Sequence, residues 1–212
     1  DNFLSPEDLF EKGRDEWDNE NYIYAEKLYT LLLNEKKEDE FFYRGYLSRG
    51  MLRFEQNLRD IKKAKEDLNY GLKNYCFKKG ADKNQCNWAL LIRANLNEEL
   101  NNLDESLEDL NKVIKKDRYW DLPYQDRARV NFKLGNDKKF LADTKKVIKY
   151  FNDGIKYNWC DNDKNCLNEY KEALKDTYIL KAKYFYKIDD DKKAQLYLKR
   201  AAKLNPFVNR LD

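Results

Sequence analysis

Small and apolar residues recur along this chain at fixed spacings that predict pairs of amphipathic helices. In each set a small residue is followed twelve positions later by a second marker, then four and three positions later by a third and a fourth. Such a repeat indicates short helices that bury their apolar faces by stacking on one another. Four sets keep this spacing: Gly13, Ala25, Tyr29, Leu32; Ala94, Ser106, Leu110, Val113; Ala128, Phe140, Thr144, Val147; and Ala182, Ala194, Leu198, Ala201. The set Gly50, Ala64, Leu68, Gly71 has two extra residues between its helices.

The clearest copy runs from Tyr124 to Gly135 and on to Val147, and the last copy closes with Asn205 and Pro206. This pattern resembles the tetratricopeptide repeat, a helix-turn-helix unit of about 34 residues. The resemblance covers residues 6 to 208 and implies an all-α, right-handed superhelical solenoid of about five helix-turn-helix repeats. Four of the five units lack the turn glycine that Gly135 supplies.

The spacing of the leading small residues predicts a single domain over residues 1–212 with two insertions. Successive leading residues lie 37, 44, 34 and 54 positions apart, so only the third interval matches the family period. We interpret residues 75–87 and 150–168 as inserted loops between repeats. The predicted units lie near residues 6–39, 43–74, 87–118, 121–152 and 170–208.

Each predicted insertion carries one cysteine pair, and the chain has no other cysteine. A zinc site, buried free thiols and two local disulfides are the possible interpretations. The even count and the polar surroundings favour the disulfides Cys76–Cys86 and Cys160–Cys166. Disulfides persist in oxidising compartments, so we expect a periplasmic, cell-surface or secreted protein, with the cytoplasm as the alternative. The first residue is Asp1, which a removed signal peptide or a recombinant fragment would explain equally well.

The residue types that most often carry catalysis are scarce in this chain. It has no His, three Ser and three Thr, and no glycine-rich phosphate loop. The acidic cluster Glu98–Glu99 is interpreted as a solvated helix face and Asp189–Asp191 as a polar turn between helices. The acidic run 161–165 lacks the glycine of a calcium loop. We therefore expect no catalytic residue, no metal and no cofactor. No apolar run approaches the about 18 residues of a membrane span.

The family resemblance places the first helix of each repeat along a concave groove that binds partners. It implies a groove position one turn before and directly after each leading small residue, together with neighbouring aromatic and basic residues. The alternative for the aromatic residues is that they join neighbouring repeats. The candidates are Phe10, Arg14, Trp17, Leu47, Met51, Phe54, Leu91, Asn95, Glu98, Gln125, Arg129, Phe132, Lys133, Ile179, Lys183, Tyr186 and Lys187.

A basic residue precedes every leading small residue, and we interpret this row as structural because the long stems can pack over neighbouring rings. The row consists of Lys12, Arg49, Arg93, Arg127 and Lys181.

Charge is distributed unevenly although the whole chain carries only +3. Residues 1–110 contain 17 Lys and Arg against 24 Asp and Glu, a net −7, and residues 111–212 contain 25 against 15, a net +10. We predict a monomeric, non-enzymatic scaffold whose groove binds an acidic protein or peptide through the C-terminal repeats. A head-to-tail oligomer and a binder of an anionic polymer are the alternatives. The small net charge gives no reason to expect nucleic acid.

Overall fold

In the computed structural model, the described residues 4–35, 38–55 and 60–204 form ten α-helices and no β-strand. The all-α fold class is thereby confirmed. The helices are α1 Pro6–Asp18, α2 Tyr22–Asn34, α3 Glu40–Glu55, α4 Ile61–Asn74, α5 Lys83–Glu99, α6 Leu103–Lys116, α7 Leu122–Leu134, α8 Asp137–Lys156, α9 Lys164–Lys187 and α10 Asp191–Leu204.

Consecutive helices pack as five hairpins, from α1–α2 to α9–α10, and each hairpin packs on the next within its unit. The contacts cluster into two compact units, Asp1–Val113 (unit 1) and Ile114–Asp212 (unit 2). The single-domain organisation therefore stays a prediction. Pro206, which was expected to close the last repeat, lies outside the described residues.

The repeat markers form the cores of these hairpins. Nineteen of the twenty marker residues are buried, and Leu198 is half-buried. The leading small residues permit close approach of the paired helices. A Cβ atom on Gly50 would lie 2.9 Å from Leu68 Cγ and 3.0 Å from the Leu68 backbone nitrogen. The pattern of small residues thus fixes which helices pair and how closely they pack.

The turns inside four hairpins share one backbone conformation. Glu20, Asn101, Gly135 and Asp189 have positive φ angles of 63°, 60°, 70° and 58°. In each turn the next N–H donates to the carbonyl five residues earlier at 2.7–2.9 Å, which is the Schellman pattern of a helix end. Asn and Asp tolerate this left-handed conformation, so a repeat can keep the turn without glycine. Residues 56–59, between α3 and α4, lie outside the described part of the chain.

The two predicted insertions are shorter loops than expected, because the flanking helices extend into them. Helix α8 continues to Lys156, and helices α5 and α9 begin at Lys83 and Lys164. The early starts follow from N-capping: the carboxylates of Asp82 and Asp163 each accept two backbone N–H groups of the following helix at 2.8–3.3 Å. The loop boundaries 75–87 and 150–168 are therefore corrected to 75–82 and 157–163.

Both predicted cysteine pairs are formed in the structure. The sulfur atoms are 2.01 Å apart in Cys76–Cys86 and 2.06 Å apart in Cys160–Cys166. Cys86 and Cys166 lie in the first turns of α5 and α9, so each bond ties a loop to the start of the helix that follows it.

Candidate partner-binding site

A cavity of about 300 Å³ lies between α7, α8 and α9 in unit 2. Four of the predicted groove residues meet around it: Gln125 and Arg129 from α7, and Ile179 and Lys183 from α9. The other lining residues are Ala128, Thr144, Val147, Asp176, Thr177 and Leu180. The structure therefore brings together side chains that are about 55 positions apart in the sequence. We call this cavity the α7–α9 pocket.

The wall of the α7–α9 pocket is mainly apolar. Ala128, Val147 and Leu180 supply hydrocarbon surface, and the two threonines use their hydroxyl groups within their own helices. Thr144 Oγ1 donates to the Phe140 carbonyl at 3.0 Å, and Thr177 Oγ1 donates to the Ala173 carbonyl at 2.9 Å. With these protons engaged, the wall suits an aliphatic side chain.

The charged groups of the pocket are two cations and one carboxylate. The Arg129 side chain is 43% exposed, and its Nη2 lies 2.9 Å from Oδ1 of the buried Asp126, which orients the guanidinium. Lys183 is exposed. Desolvation by neighbouring protein atoms raises the pKa of Asp176, although the nearby Lys175 opposes this effect. The pocket therefore presents the Lys183 ammonium, the Arg129 guanidinium paired with Asp126, and the carboxylate of Asp176.

Gln125 is held in place by the start of its own helix. Its Nε2 donates to Asp121 Oδ2 at 2.9 Å. Burial raises the pKa of the Asp121 carboxyl above its ordinary value. This hydrogen bond and those from backbone N–H groups oppose the rise only in part. The amide is thus fixed at the edge of the pocket, with its acceptor oxygen left for other contacts.

Four other predicted residues of unit 2 do not line this pocket. Phe132 and Tyr186 are half-buried and pack against the core cluster around Phe140, with ring centroids of Phe132 and Phe140 5.6 Å apart. The Lys187 ammonium lies 5.5 Å from the centre of the Phe132 ring, and Lys133 is exposed. These aromatic residues therefore join α7 to its neighbours, as the packing alternative expects.

Most predicted groove residues of unit 1 contribute to its core. Phe10, Leu47 and Leu91 are almost fully buried, and Met51 and Glu98 are buried as well. We therefore assign these five residues to internal packing rather than to an open groove, and the interpretation of Glu98 as part of a solvated helix face was wrong. Leu47, one turn before its leading small residue, faces the neighbouring helix, since a Cβ atom added to Gly71 would lie 2.5 Å from Leu47 Cδ2.

The remaining candidates of unit 1 are only partly accessible. Trp17 is half-buried and packs on the core cluster of the first hairpin, and Phe54 and Asn95 are also half-buried. Arg14 is exposed and forms an ion pair with Glu11 in the same helix. A groove role for these four residues stays a prediction.

The three arginines of the basic row form a repeated ion pair that was not predicted from the sequence. In the second, third and fourth hairpins, the arginine before the leading small residue donates Nε and Nη2 to both oxygens of one aspartate at 2.7–2.9 Å. The aspartates are buried, so we call this arrangement the Arg–Asp clamp. The pairs are Arg49–Asp67, Arg93–Asp109 and Arg127–Asp143. Each aspartate directly precedes the third marker of its repeat, which is the signal that could have revealed it.

Two of these arginines also reach the preceding hairpin. Arg49 Nη1 donates to Thr30 Oγ1 of α2 at 3.2 Å, and Arg93 Nη1 donates to Asn69 Oδ1 of α4 at 2.9 Å. The third guanidinium donor thus links one repeat to its predecessor within unit 1.

The first and last hairpins carry a lysine at the same position and no aspartate opposite it. Leu28 and Tyr197 stand where the clamp has its aspartate. The Lys12 ammonium lies 5.8 Å from the centre of the Tyr24 ring, and the Lys181 ammonium lies 4.9 Å from that of Tyr197. Lys181 is 7% exposed, and its burial lowers the pKa of its ammonium group.

Among the described residues, no group of three or more His, Cys, Asp and Glu side chains is placed to hold a metal ion. In the same part of the chain, no helix is both long enough and apolar enough to cross a bilayer.

Comparison with known proteins identifies the fold. No protein-family model and no curated protein sequence matches the chain. YrrB, described as a TPR protein with an unusual peptide-binding site, matches with a TM-score of 0.66 and 11% identity over 95% of this chain and 87% of that one. MamA matches with a TM-score of 0.62 and 13% identity over 92% and 94% of the two chains. A tetratricopeptide repeat protein from Parabacteroides merdae matches with a TM-score of 0.56 and 14% identity over 94% of this chain and 93% of that one.

Proposed function

We propose that this chain, which has the tetratricopeptide-repeat fold, is a non-enzymatic scaffold that binds a protein or peptide in the α7–α9 pocket. The observation that carries the proposal is the pocket itself, in which two cationic side chains stand beside an apolar wall. This combination fits a peptide segment that presents a carboxylate next to an aliphatic side chain. YrrB, which shares the fold, is described as having a peptide-binding site.

The partner of the pocket is acidic in this proposal. Arg129 and Lys183 are positioned to bind a carboxylate, and residues 111–212 carry a net +10 that attracts acidic molecules from solution. Gln125 adds a neutral hydrogen-bonding group at the edge, which suits a peptide amide. The Arg129 guanidinium is already oriented by Asp126, so it binds the carboxylate of the partner in one preferred direction.

The protein functions in the periplasm, at the cell surface or after secretion in this proposal. Two cysteine pairs at bonding distance support an oxidising compartment. Mass measurement of protein isolated from its native source, before and after reduction and alkylation, tests this location. Four free thiols in freshly isolated protein would contradict it.

Peptide binding at the pocket is tested with a fluorescent peptide that contains Glu-Leu-Glu and with its Gln-Leu-Gln counterpart. We expect the acidic peptide to bind more tightly at low salt, and its advantage to shrink as salt screens the charges. Lys183→Glu should weaken the acidic peptide about tenfold, because it places like charges together. Lys139→Glu is the matched control, since Lys139 is an exposed lysine of unit 2 outside the pocket.

Arg129→Lys separates the charge of this residue from its shape. Lysine keeps the positive charge and can still pair with Asp126, but it lacks the planar fork of the guanidinium. We expect a smaller loss of affinity for the acidic peptide than with Lys183→Glu. Equal affinities of the acidic and neutral peptides, or equal effects of Lys183→Glu and Lys139→Glu, would contradict the α7–α9 pocket as the site.

A further inference from the structure

The last helix of the described chain carries a basic face with an exposed apolar residue. Helix α10 has five Lys and Arg residues against one Asp, and it buries only Ala194 and Ala201. Lys192, Leu196 and Lys199 follow one another at helical spacing and line the same open groove. Leu196 is 46% exposed, which leaves a leucine side chain in water between two lysines.

The first hairpin carries the opposite combination. Helix α1 has six Asp and Glu residues against two Lys and Arg. Glu16, Glu20, Ile23 and Tyr24 line an open groove between α1 and α2, together with Lys27. Ile23 is 64% exposed, and the Asn21 amide donates to Glu16 Oε2 at 2.7 Å, which holds that carboxylate beside the groove.

We propose that these two surfaces bind each other between separate copies of this chain. Lys192 and Lys199 of one copy pair with Glu20 and Glu16 of the next, and Leu196 packs against Ile23. Charge complementarity selects a second copy as the occupant, because each surface supplies the charge that the other lacks. Each contact also removes an exposed leucine and an exposed isoleucine from water.

The contact is heterologous, since it joins two different surfaces of the same chain. Each bound copy therefore leaves one basic and one acidic surface unoccupied, and addition continues unless a ring closes. The average mass in solution should rise steadily with concentration and fall when salt is added. None of the residues involved lines the α7–α9 pocket, so the contact is independent of the proposed function.

The test is sedimentation of the full chain and of two charge-reversed variants at low salt. One variant carries Lys192→Glu and Lys199→Glu, and the other carries Glu16→Lys and Glu20→Lys. Each alone should associate at least about tenfold more weakly than wild type, because like charges then meet at the contact. An equimolar mixture of the two should regain association, since the reversed surfaces complement each other. The control with Lys139→Glu and Lys145→Glu has the same charge change as the first variant and should associate like wild type.

Cross-linking locates the contact. Wild-type chains with and without ¹⁵N are mixed and treated with a carbodiimide, which joins lysine to carboxylate. We expect mixed-isotope cross-links between α10 and the first hairpin. Wild type that stays monomeric at every concentration, a mixture of variants that does not recover, or cross-links confined to single chains would each overturn the proposal.

Discussion

In the second, third and fourth hairpins an arginine binds both oxygens of a buried aspartate, whereas the first and last hairpins have a lysine at this position and no aspartate at the corresponding place. The helices of all five hairpins nevertheless pair through the same small and apolar markers. The difference shows that the markers suffice for helix pairing, while the Arg–Asp clamp adds a requirement that both charged partners be present. Hairpins with the clamp should therefore tolerate change at this position much less than those without it.

The largest expected effect comes from breaking one clamp. Asp109→Ala leaves the half-buried Arg93 guanidinium without its carboxylate and should lower the free energy of unfolding by about 3–5 kcal/mol. Lys12→Ala in the first hairpin should cost less than about 1 kcal/mol, because it removes only an exposed contact with a ring. Urea unfolding followed by circular dichroism measures both.

Replacing both partners sharpens this test. Arg93→Met with Asp109→Leu removes the charges together, so no buried charge is left unpaired, and most of the lost stability should return. If the double variant is as unstable as Asp109→Ala, the clamp contributes through something other than charge pairing.

A second effect is the loss of stability when the leading glycine is replaced by alanine, compared between a hairpin with the Arg–Asp clamp and one without it. A Cβ on Gly50 would lie 3.0 Å from the backbone nitrogen of Leu68, whereas the three atoms nearest to a Cβ on Gly13 all belong to the ring of Tyr29. A backbone cannot move aside as a side chain can, so Gly50→Ala should destabilise unit 1 by about 1–3 kcal/mol and Gly13→Ala by less. Equal losses in urea unfolding would show that the Tyr29 ring is as immobile as the backbone.

A third effect concerns the buried Lys181, which has Tyr197 at the position where the clamp has its aspartate. Lys181→Met should raise the free energy of unfolding by about 1 kcal/mol at neutral pH, since a charged group no longer has to be buried. The pKa of Lys181 is lowered in the folded state, so wild type regains stability as pH rises from that lowered pKa towards the ordinary value of 10.5. The advantage of methionine should shrink over this range.

Thermal unfolding between pH 7 and 10.5 measures the third effect. Lys12→Met is the control, because Lys12 occupies the same repeat position but is exposed. A constant difference between Lys181→Met and wild type at all pH values would contradict the titration.

The smallest effect comes from exchanging the turn residues. Glu20 adopts φ = 63° in the first hairpin, where Gly135 adopts φ = 70° in the fourth. Glu20→Gly should stabilise the protein by about 0.5–1 kcal/mol and Gly135→Glu should destabilise it by a similar amount, because only glycine adopts this conformation without strain. Opposite signs in urea unfolding support this explanation, and changes of the same sign contradict it.

Much of the fold follows from the sequence, because the repeated spacing of small and apolar residues indicates the helix pairs, and an even number of cysteines in polar segments favours local disulfides. The helices, their pairing and both disulfides were predicted in this way. The loop lengths were not, since Asp82 and Asp163 were not recognised as N-caps that start α5 and α9 early. The Arg–Asp clamp was also missed, although Asp67, Asp109 and Asp143 stand at one repeat position.

The candidate site could be predicted only in part. Gln125, Arg129, Ile179 and Lys183, which the family resemblance selected, line one pocket, and their role in binding stays a prediction. The same rule selected Phe10, Leu47 and Leu91, which are buried. Repeat position identifies the helix face, but whether that face is open depends on the size of the facing side chains. The facing side chains belong to other helices, which are distant in the sequence.

The additional hydrogen bonds of Arg49 to Thr30 and of Arg93 to Asn69 each join a hairpin to the one that precedes it in the chain. Each of these two arginines donates to an acceptor on the hairpin before it, five residues after that hairpin's second marker. If such a hairpin is grafted into another repeat array, its arginine therefore needs a hydrogen-bond acceptor on the N-terminal neighbour. Duplicating the third hairpin would satisfy that condition only if Asn111, at the corresponding position, served as the acceptor for the copy.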